Sequence, residues 1–296
     1  MARDTCEWIL HAPVFASWCT DPDAAVLWVS GAPGVGKSHL AAKIVDHLQR
    51  LQSPTALDRG AAKCAVASFF CDFEDTEGKD YEKLNLTTTE DIEGQEQVEP
   101  EDGDDFKHLN IILRTIAWQL IQQDKAYEMW LPPRKPKAHG AETDEKKRDD
   151  IEHLLNRDLW NWLFNNTYFA SRQKASTFLV IDGLDTLSPV ACRVLIKFMR
   201  ELSSDRHIAP ETSFKPRLKF VILGQPRSED YMLRLSRSLR IRHITVTDKE
   251  NLEDIKMYIS SSLGASGKLK RLLSNEKFHA QVVEKLATAA YGDFES

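Results

Sequence analysis

Long apolar runs are missing from this sequence. No stretch of about 18 apolar residues occurs, so a membrane-spanning helix is not expected. The N-terminus, MARDTCEWIL, lacks a basic patch followed by an apolar core, so no secretory signal is expected. Cysteine is scarce as well. The five present (Cys6, Cys19, Cys64, Cys71 and Cys192) form no CxxC pair and keep no zinc-ligand spacing with histidines, which points to reduced thiols in a cytoplasmic protein. There is no GxSxG elbow for a serine nucleophile and no HExxH pair for zinc. Helix-turn-helix, zinc-finger and aromatic RNA-binding signatures are absent, which argues against nucleic acid as the ligand. No repeat with a period of roughly 20–50 residues exists, so the chain contains no solenoid or propeller array.

What is present is an ordinary globular composition, 42% apolar and 28% charged over 296 residues, enough for one α/β domain with inserts. The net charge of −6 is unevenly distributed. Residues 74–105 hold 14 acids and two lysines, and the remainder holds 31 acids and 37 basic residues. A basic body suits a polyanionic ligand such as a nucleotide. The acidic stretch has low hydrophobicity and no periodicity, so it reads as a disordered surface insert. The Pro- and charge-rich residues 131–150 read as a second insert of the same kind.

Between these inserts, short apolar segments alternate with amphipathic ones, the pattern of a parallel sheet covered by helices on both faces. Strands are expected at Ala25–Ser30, Cys64–Phe70, Phe178–Ile181, Leu218–Leu223 and Ile241–Val246. Helical periodicity predicts helices over Lys37–Leu51, His108–Gln123 and roughly Ile151–Ser171. From Asp248 the chain turns helical, with segments starting near Asp248 and spanning Glu276–Ala290. The expected division is a lead-in helix in residues 1–24, an α/β core over 25–247, and the start of a helical subdomain over 248–296. The tryptophans, including Trp8, Trp18, Trp28, Trp118, Trp160 and Trp162, are expected to be core or helix-packing residues.

Residues 30–38, SGAPGVGKS, fit G-x-x-x-x-G-K-[ST] through Gly31, Gly36, Lys37 and Ser38. Such a loop wraps a phosphate closely, with its backbone N–H groups and the following helix N-terminus facing the anion. The expected cradle is Gly31, Ala32, Pro33, Gly34, Val35, Gly36, Lys37, Ser38 and His39. Lys37 would reach the β- and γ-phosphates, and the Ser38 hydroxyl would ligate Mg²⁺. A loop of this type needs a carboxylate on the magnesium side from the end of a neighbouring strand. FLVIDGLDTL (178–187) offers Asp182 for that role, through water, and Asp185 as a group that orients water or acts as base. Gly183 is expected to leave room on the phosphate side. After the fourth strand, Arg227 and, more weakly, Gln225 are candidates to sense the γ-phosphate.

Taken together, these residues resemble the nucleotide-binding module of fungal NACHT-type STAND NTPases, relatives of animal NOD-like receptors and of nephrocystin-3-like N-terminal domains. The resemblance rests on VLWVSGAPGVGKSHLAAKI, ASFFCDF (67–73), LRTIAWQLI (113–121), FLVIDGLDTL and ITVTDKENLEDIKMYI. It implies a cytoplasmic signalling switch that binds ATP or GTP with Mg²⁺, hydrolyses it slowly, and forms homo-oligomers on activation. Fungal members act in non-self recognition and programmed cell death. Two departures stand out: Thr186 occupies a position where that family often has Glu, and GQPR replaces an S-R-P pattern. They leave a non-hydrolysing nucleotide-binding scaffold as the alternative, with a small-molecule kinase behind it. No NKxD-type guanine-selecting motif occurs, which tilts the nucleotide toward ATP.

Overall fold

A computed structural model describes residues 5–21, 23–51, 64–71, 104–124, 156–164, 176–204, 217–265 and 275–292. The lead-in forms two short helices, α1 (Trp8–His11) and α2 (Pro13–Thr20), where one was expected; Pro13 at the first position of α2 starts a new helix. The α/β core then runs β1 (Ala24–Gly31), α3 (Lys37–Arg50), β2 (Cys64–Phe70), α4 (Asp104–Gln123), α5 (Asn156–Phe164), β3 (Ser176–Asp182), α6 (Pro189–Ser204), β4 (Arg217–Gly224), α7 (Glu229–Ser236) and β5 (Arg240–Val246). Helices α8 (Asp248–Ala265) and α9 (Glu276–Gly292) follow. Most of the acidic insert, all of 131–150 and the flanks of α5 lie outside the described residues. The insert's last two residues, Asp104 and Asp105, belong to α4.

All four strand pairings are parallel, and the order is β2-β3-β4-β1-β5. The strand carrying Asp182 is therefore not beside the strand that feeds the glycine-rich loop, as the sequence reading assumed; β4 lies between them. Helix α3 closes that gap by crossing β4 and β3 on its way to β2.

Alternate residues of each central strand enter separate cores, as a period of two requires. Leu27, Val29, Val180 and Val221 pack with α1, α2 and α3. Val26, Trp28, Leu179, Ile181, Phe220 and Ile222 pack with α4 to α7. Trp18, Trp28, Trp160 and Trp162 are buried, whereas Trp118 on α4 is 43% exposed. Helices α6 and α7, not anticipated from the sequence, cover β3, β4 and β5 through Leu195, Met199, Met232 and Leu235. Strand β5 is not buried on both faces; it sits at the edge, and only Ile244 and Val246 are buried.

A charged residue interrupts β4. Lys219 faces the lead-in helices, 2% exposed, and donates to the carbonyls of Trp18, Asp21 (2.8 Å) and Ala24 (3.3 Å). Its ammonium also lies 5.2 Å from the Trp18 ring centroid. Carbonyl oxygens at the end of α2 thus hold this cation and fasten the lead-in to the sheet.

The opposite edge, β2, is covered by two side chains. Gln123 Oε1 accepts from Val66 N–H (2.9 Å), and its Nε2 donates to Val66 O (2.6 Å). One helical turn earlier, Gln119 does the same at Ser68, with both distances 2.8 Å. The two carboxamides stand in for the peptide groups of a further strand and block edge-to-edge pairing. Replacing both glutamines with alanine should cost about 2 kcal/mol and lower the melting temperature by about 5 °C. Scanning calorimetry checks this; an unchanged melting temperature would contradict it. No helix among the described residues is long and apolar enough to cross a membrane.

Candidate functional site

The strand register brings the C-terminal ends into one row, with Phe70 beside Asp182, Asp182 beside Leu223, and Gly224 beside Ser30. Ligand crevices of parallel sheets open at this edge. The glycine-rich loop leaves β1 here. Ala32, Pro33 and Gly34 at its crest face solvent, whereas Val35 folds into the core. Gly36 has φ +88°, a left-handed conformation open to glycine at little cost, and it caps α3. The N–H groups of His39 and Leu40 already bond Gly36 O at 3.0 and 3.1 Å. Helix geometry leaves the first amides of α3 turned toward the loop, as an anion site requires.

Lys37 Nζ donates to Gly31 O at 2.9 Å and Ala32 O at 2.7 Å, so the cation lies across the loop. Burial lowers its pKa below the usual lysine value, with Asp185 and then Asp182 opposing that shift. Asp182 is 5% exposed, and its carboxylate lies beside the Ser38 side chain. Burial raises its pKa, against Ser38 and the Lys37 charge. The structure therefore gathers Lys37, Ser38, Asp182 and Asp185 over one loop. Ser38 would offer magnesium one oxygen and Asp182 a second through water, with phosphates and further water completing the shell.

Gly183 is required by its backbone conformation and by a neighbouring strand end. Its φ is +82°, and a Cβ there would lie 3.0 Å from Cys71 O. The chain at the end of β2 by itself demands the glycine. Thr186 closes the turn that follows: its N–H and its hydroxyl both bond Gly183 O at 2.9 Å. Cys71 lies beside it, and burial pushes the pKa of its thiol up to about 12.

Asp185, with a side chain 6% exposed, reaches the loop after β4. Its Oδ1 accepts from Gln225 N–H at 3.0 Å. Arg227 donates to Asp185 O at 2.9 Å and lies 3.4 Å from Oδ2. The arginine and the second acid thus form a pair on the rim. Two rim residues had no counterpart in the sequence reading. His243 on β5 stacks on Trp28, with centroids 6.3 Å apart, and its Nε2 lies 2.7 Å from Ser30 Oγ. Burial lowers its pKa below the usual histidine value, so the ring is neutral at neutral pH. Asn251 on α8 is 6% exposed and packs against Gly36. A lone histidine or asparagine carries no motif, and only the crossing of β5 and α8 brings them here.

With this geometry in place, a comparison with family models gives a match to "Nephrocystin 3, N-terminal" over residues 4–97 and 100–223, about three quarters of the chain. Among solved structures, the ADPNP–ADP complexes of the ORC2 protein of Aeropyrum pernix align over 85% of this chain with 14% identity and a TM-score of 0.42. The ADP form of that protein aligns over 94% with 12% identity and a TM-score of 0.43. Drosophila ORC bound to GC-rich DNA and Cdc6 aligns over 98% with 12% identity and a TM-score of 0.37. The chain spans 50%, 66% and 37% of those three chains. No curated protein matches it.

Proposed function

The chain belongs to the nephrocystin 3 N-terminal family, a P-loop NTPase domain of NACHT type, and from that premise we propose that it binds a nucleoside triphosphate with Mg²⁺ and hydrolyses it slowly as a switch. The observation that carries this reading is the buried Asp182 carboxylate set beside Ser38 and Lys37 at the mouth of the loop. Gly31 to His39 wrap the phosphates. Lys37 exchanges the carbonyls of Gly31 and Ala32 for phosphate oxygens, which relieves a partly desolvated cation. Ser38 and Asp182 are the residues that would hold the magnesium ion, which when bound neutralises charge on the phosphoryl oxygens.

Hydrolysis is slow in this reading because the groups that would orient water are engaged elsewhere. Asp185 is held by Gln225 and Arg227, and the Thr186 hydroxyl faces Gly183 O. The single-turnover rate is expected on the order of 0.01 s⁻¹ or slower. Phosphate release faster than about 1 s⁻¹ would contradict that expectation. The same engagement favours the second reading, a scaffold that binds without hydrolysis, which total absence of release would establish. ATP is the proposed nucleotide, and ADP released on denaturing the purified chain would support a resting switch. The wider proposal is a cytoplasmic signalling role of the fungal STAND kind, with homo-oligomers forming on nucleotide exchange.

Arg227 offers a separate test. It is exposed, so Arg227→Ala should change stability by less than about 0.5 kcal/mol. If the arginine turns to the γ-phosphate when the site fills, the variant should lose about tenfold in triphosphate affinity and nothing for the diphosphate. Titration calorimetry with both nucleotides reads this; equal losses for the two would remove Arg227 from the site.

A further inference from the structure

Helix α8 touches the phosphate-binding loop at one point and the N-terminal segment at another. A Cβ built on Gly36 would lie 3.2 Å from Asn251 Nδ2, so the carboxamide packs directly against the glycine that precedes Lys37. Asn251 is 6% exposed. Three residues along the same helix face, Asp254 Oδ2 accepts from Cys6 N–H at 2.8 Å.

The receiving segment is itself under tension. Cys6 has φ +63°, a left-handed conformation that a cysteine adopts only when its surroundings impose it. Thr5 and Cys6 are 8% and 5% exposed, and Glu7 forms an ion pair with Lys43 on α3. Residues Thr5–Glu7 therefore grip both the helix that the loop opens and the helix that Asn251 places against the loop.

We infer that Asn251 is a positioning residue that carries occupancy of the phosphate-binding loop to the N-terminal segment through α8. The inference rests on the nucleotide-binding reading above. When Lys37 leaves the carbonyls of Gly31 and Ala32 for a phosphate, the adjacent Gly36 shifts. The close contact passes that shift to Asn251, because packed interiors transmit displacement instead of absorbing it. The first turn of α8 moves with it, and Asp254 changes its hold on Cys6. The carboxamide then donates to a loop carbonyl that Lys37 has released. Loading the loop thereby alters the order of residues 5–7 at the far side of α8.

Hydrogen exchange of the full chain, with and without saturating Mg–ADP, tests this. In the wild-type protein, nucleotide should slow exchange at residues 5–7 by at least about fivefold, the lower end of typical coupling between sites. Asn251→Leu keeps the volume and deletes the carboxamide. It should still bind Mg–ADP, within about tenfold of wild type, but its nucleotide-dependent change at residues 5–7 should fall below about twofold. Asn251→Ala, which removes the carboxamide without adding charge, should behave in the same way and serves if the leucine variant does not fold. A structural filler alone would leave the nucleotide response intact in both variants, and that result overturns the inference. A wild-type chain that binds Mg–ADP with unchanged exchange at residues 5–7 also overturns it and leaves the binding reading standing. A wild-type chain that binds no nucleotide overturns both.

Discussion

Lys37→Ala is expected to weaken nucleotide binding by a factor of about 100 or more, equivalent to about 3 kcal/mol, while the chain stays folded. The lysine is the cation nearest the loop mouth, anchored at 2.9 and 2.7 Å to carbonyls of the loop itself. Its lowered pKa reflects burial of the charge, and a phosphate removes that penalty by pairing with it. The nucleotide-free variant loses only a partly desolvated cation and two loop contacts, so its melting temperature should stay within about 2 °C of wild type. Equilibrium dialysis with labelled ATP and ADP checks the affinity, and thermal unfolding checks the fold. Unchanged affinity in a folded variant would remove the loop from nucleotide binding.

Asp182→Asn should act in opposite directions on stability and on chemistry. Burial raises the pKa of Asp182, so the folded chain holds this proton more tightly than the unfolded chain does. Stability of the nucleotide-free wild type should therefore decline as pH rises from the ordinary aspartate value, about 4, through the raised folded value. Above that window the charged form is present at its full cost. Asparagine keeps an acceptor for the Ser38 hydroxyl and removes the charge, so the variant should lack this decline. At neutral pH it should melt about 2 °C or more above wild type. Asp185, the larger of the two carboxylate influences on Lys37, is still in place. Magnesium-dependent hydrolysis in the same variant should fall about 10- to 100-fold, as for other groups that orient a metal's immediate ligands. Melting curves at several pH values and single-turnover phosphate release test the two halves separately. A variant no more stable than wild type at neutral pH would mean that Asp182 is not held charged against a burial cost.

Much of the core was legible because its signals are local. The bounds of β2, Cys64–Phe70, were read from the sequence without change, since Val66, Phe69 and Phe70 favour an extended conformation in a short apolar run. The loop at residues 30–38 and the acid ending FLVID are fixed by neighbours in the chain. Helix α4 was read from its leucine and isoleucine stripe. The second role of α4 was not, because Gln119 and Gln123 matter only when β2 lies at a sheet edge. Helix α6 begins with a proline and carries an apolar face that the reading passed over. Lys219 looks like an interruption in an apolar strand until the carbonyls of Trp18, Asp21 and Ala24 surround it.

By itself the sequence determined the α/β class, the phosphate-binding loop and the acidic strand end, since each depends on residue types at fixed spacing along the backbone. Tertiary structure decided how those parts meet. The strand order separates Asp182 from the loop strand, and the path of α3 across the sheet restores the contact through Ser38. It also decided that Gly183 answers to Cys71, that Asp185 holds Gln225 and Arg227, and that Asn251 lies against Gly36. Those contacts join residues tens to hundreds of positions apart. Their energies come from packing and burial, which no local pattern encodes.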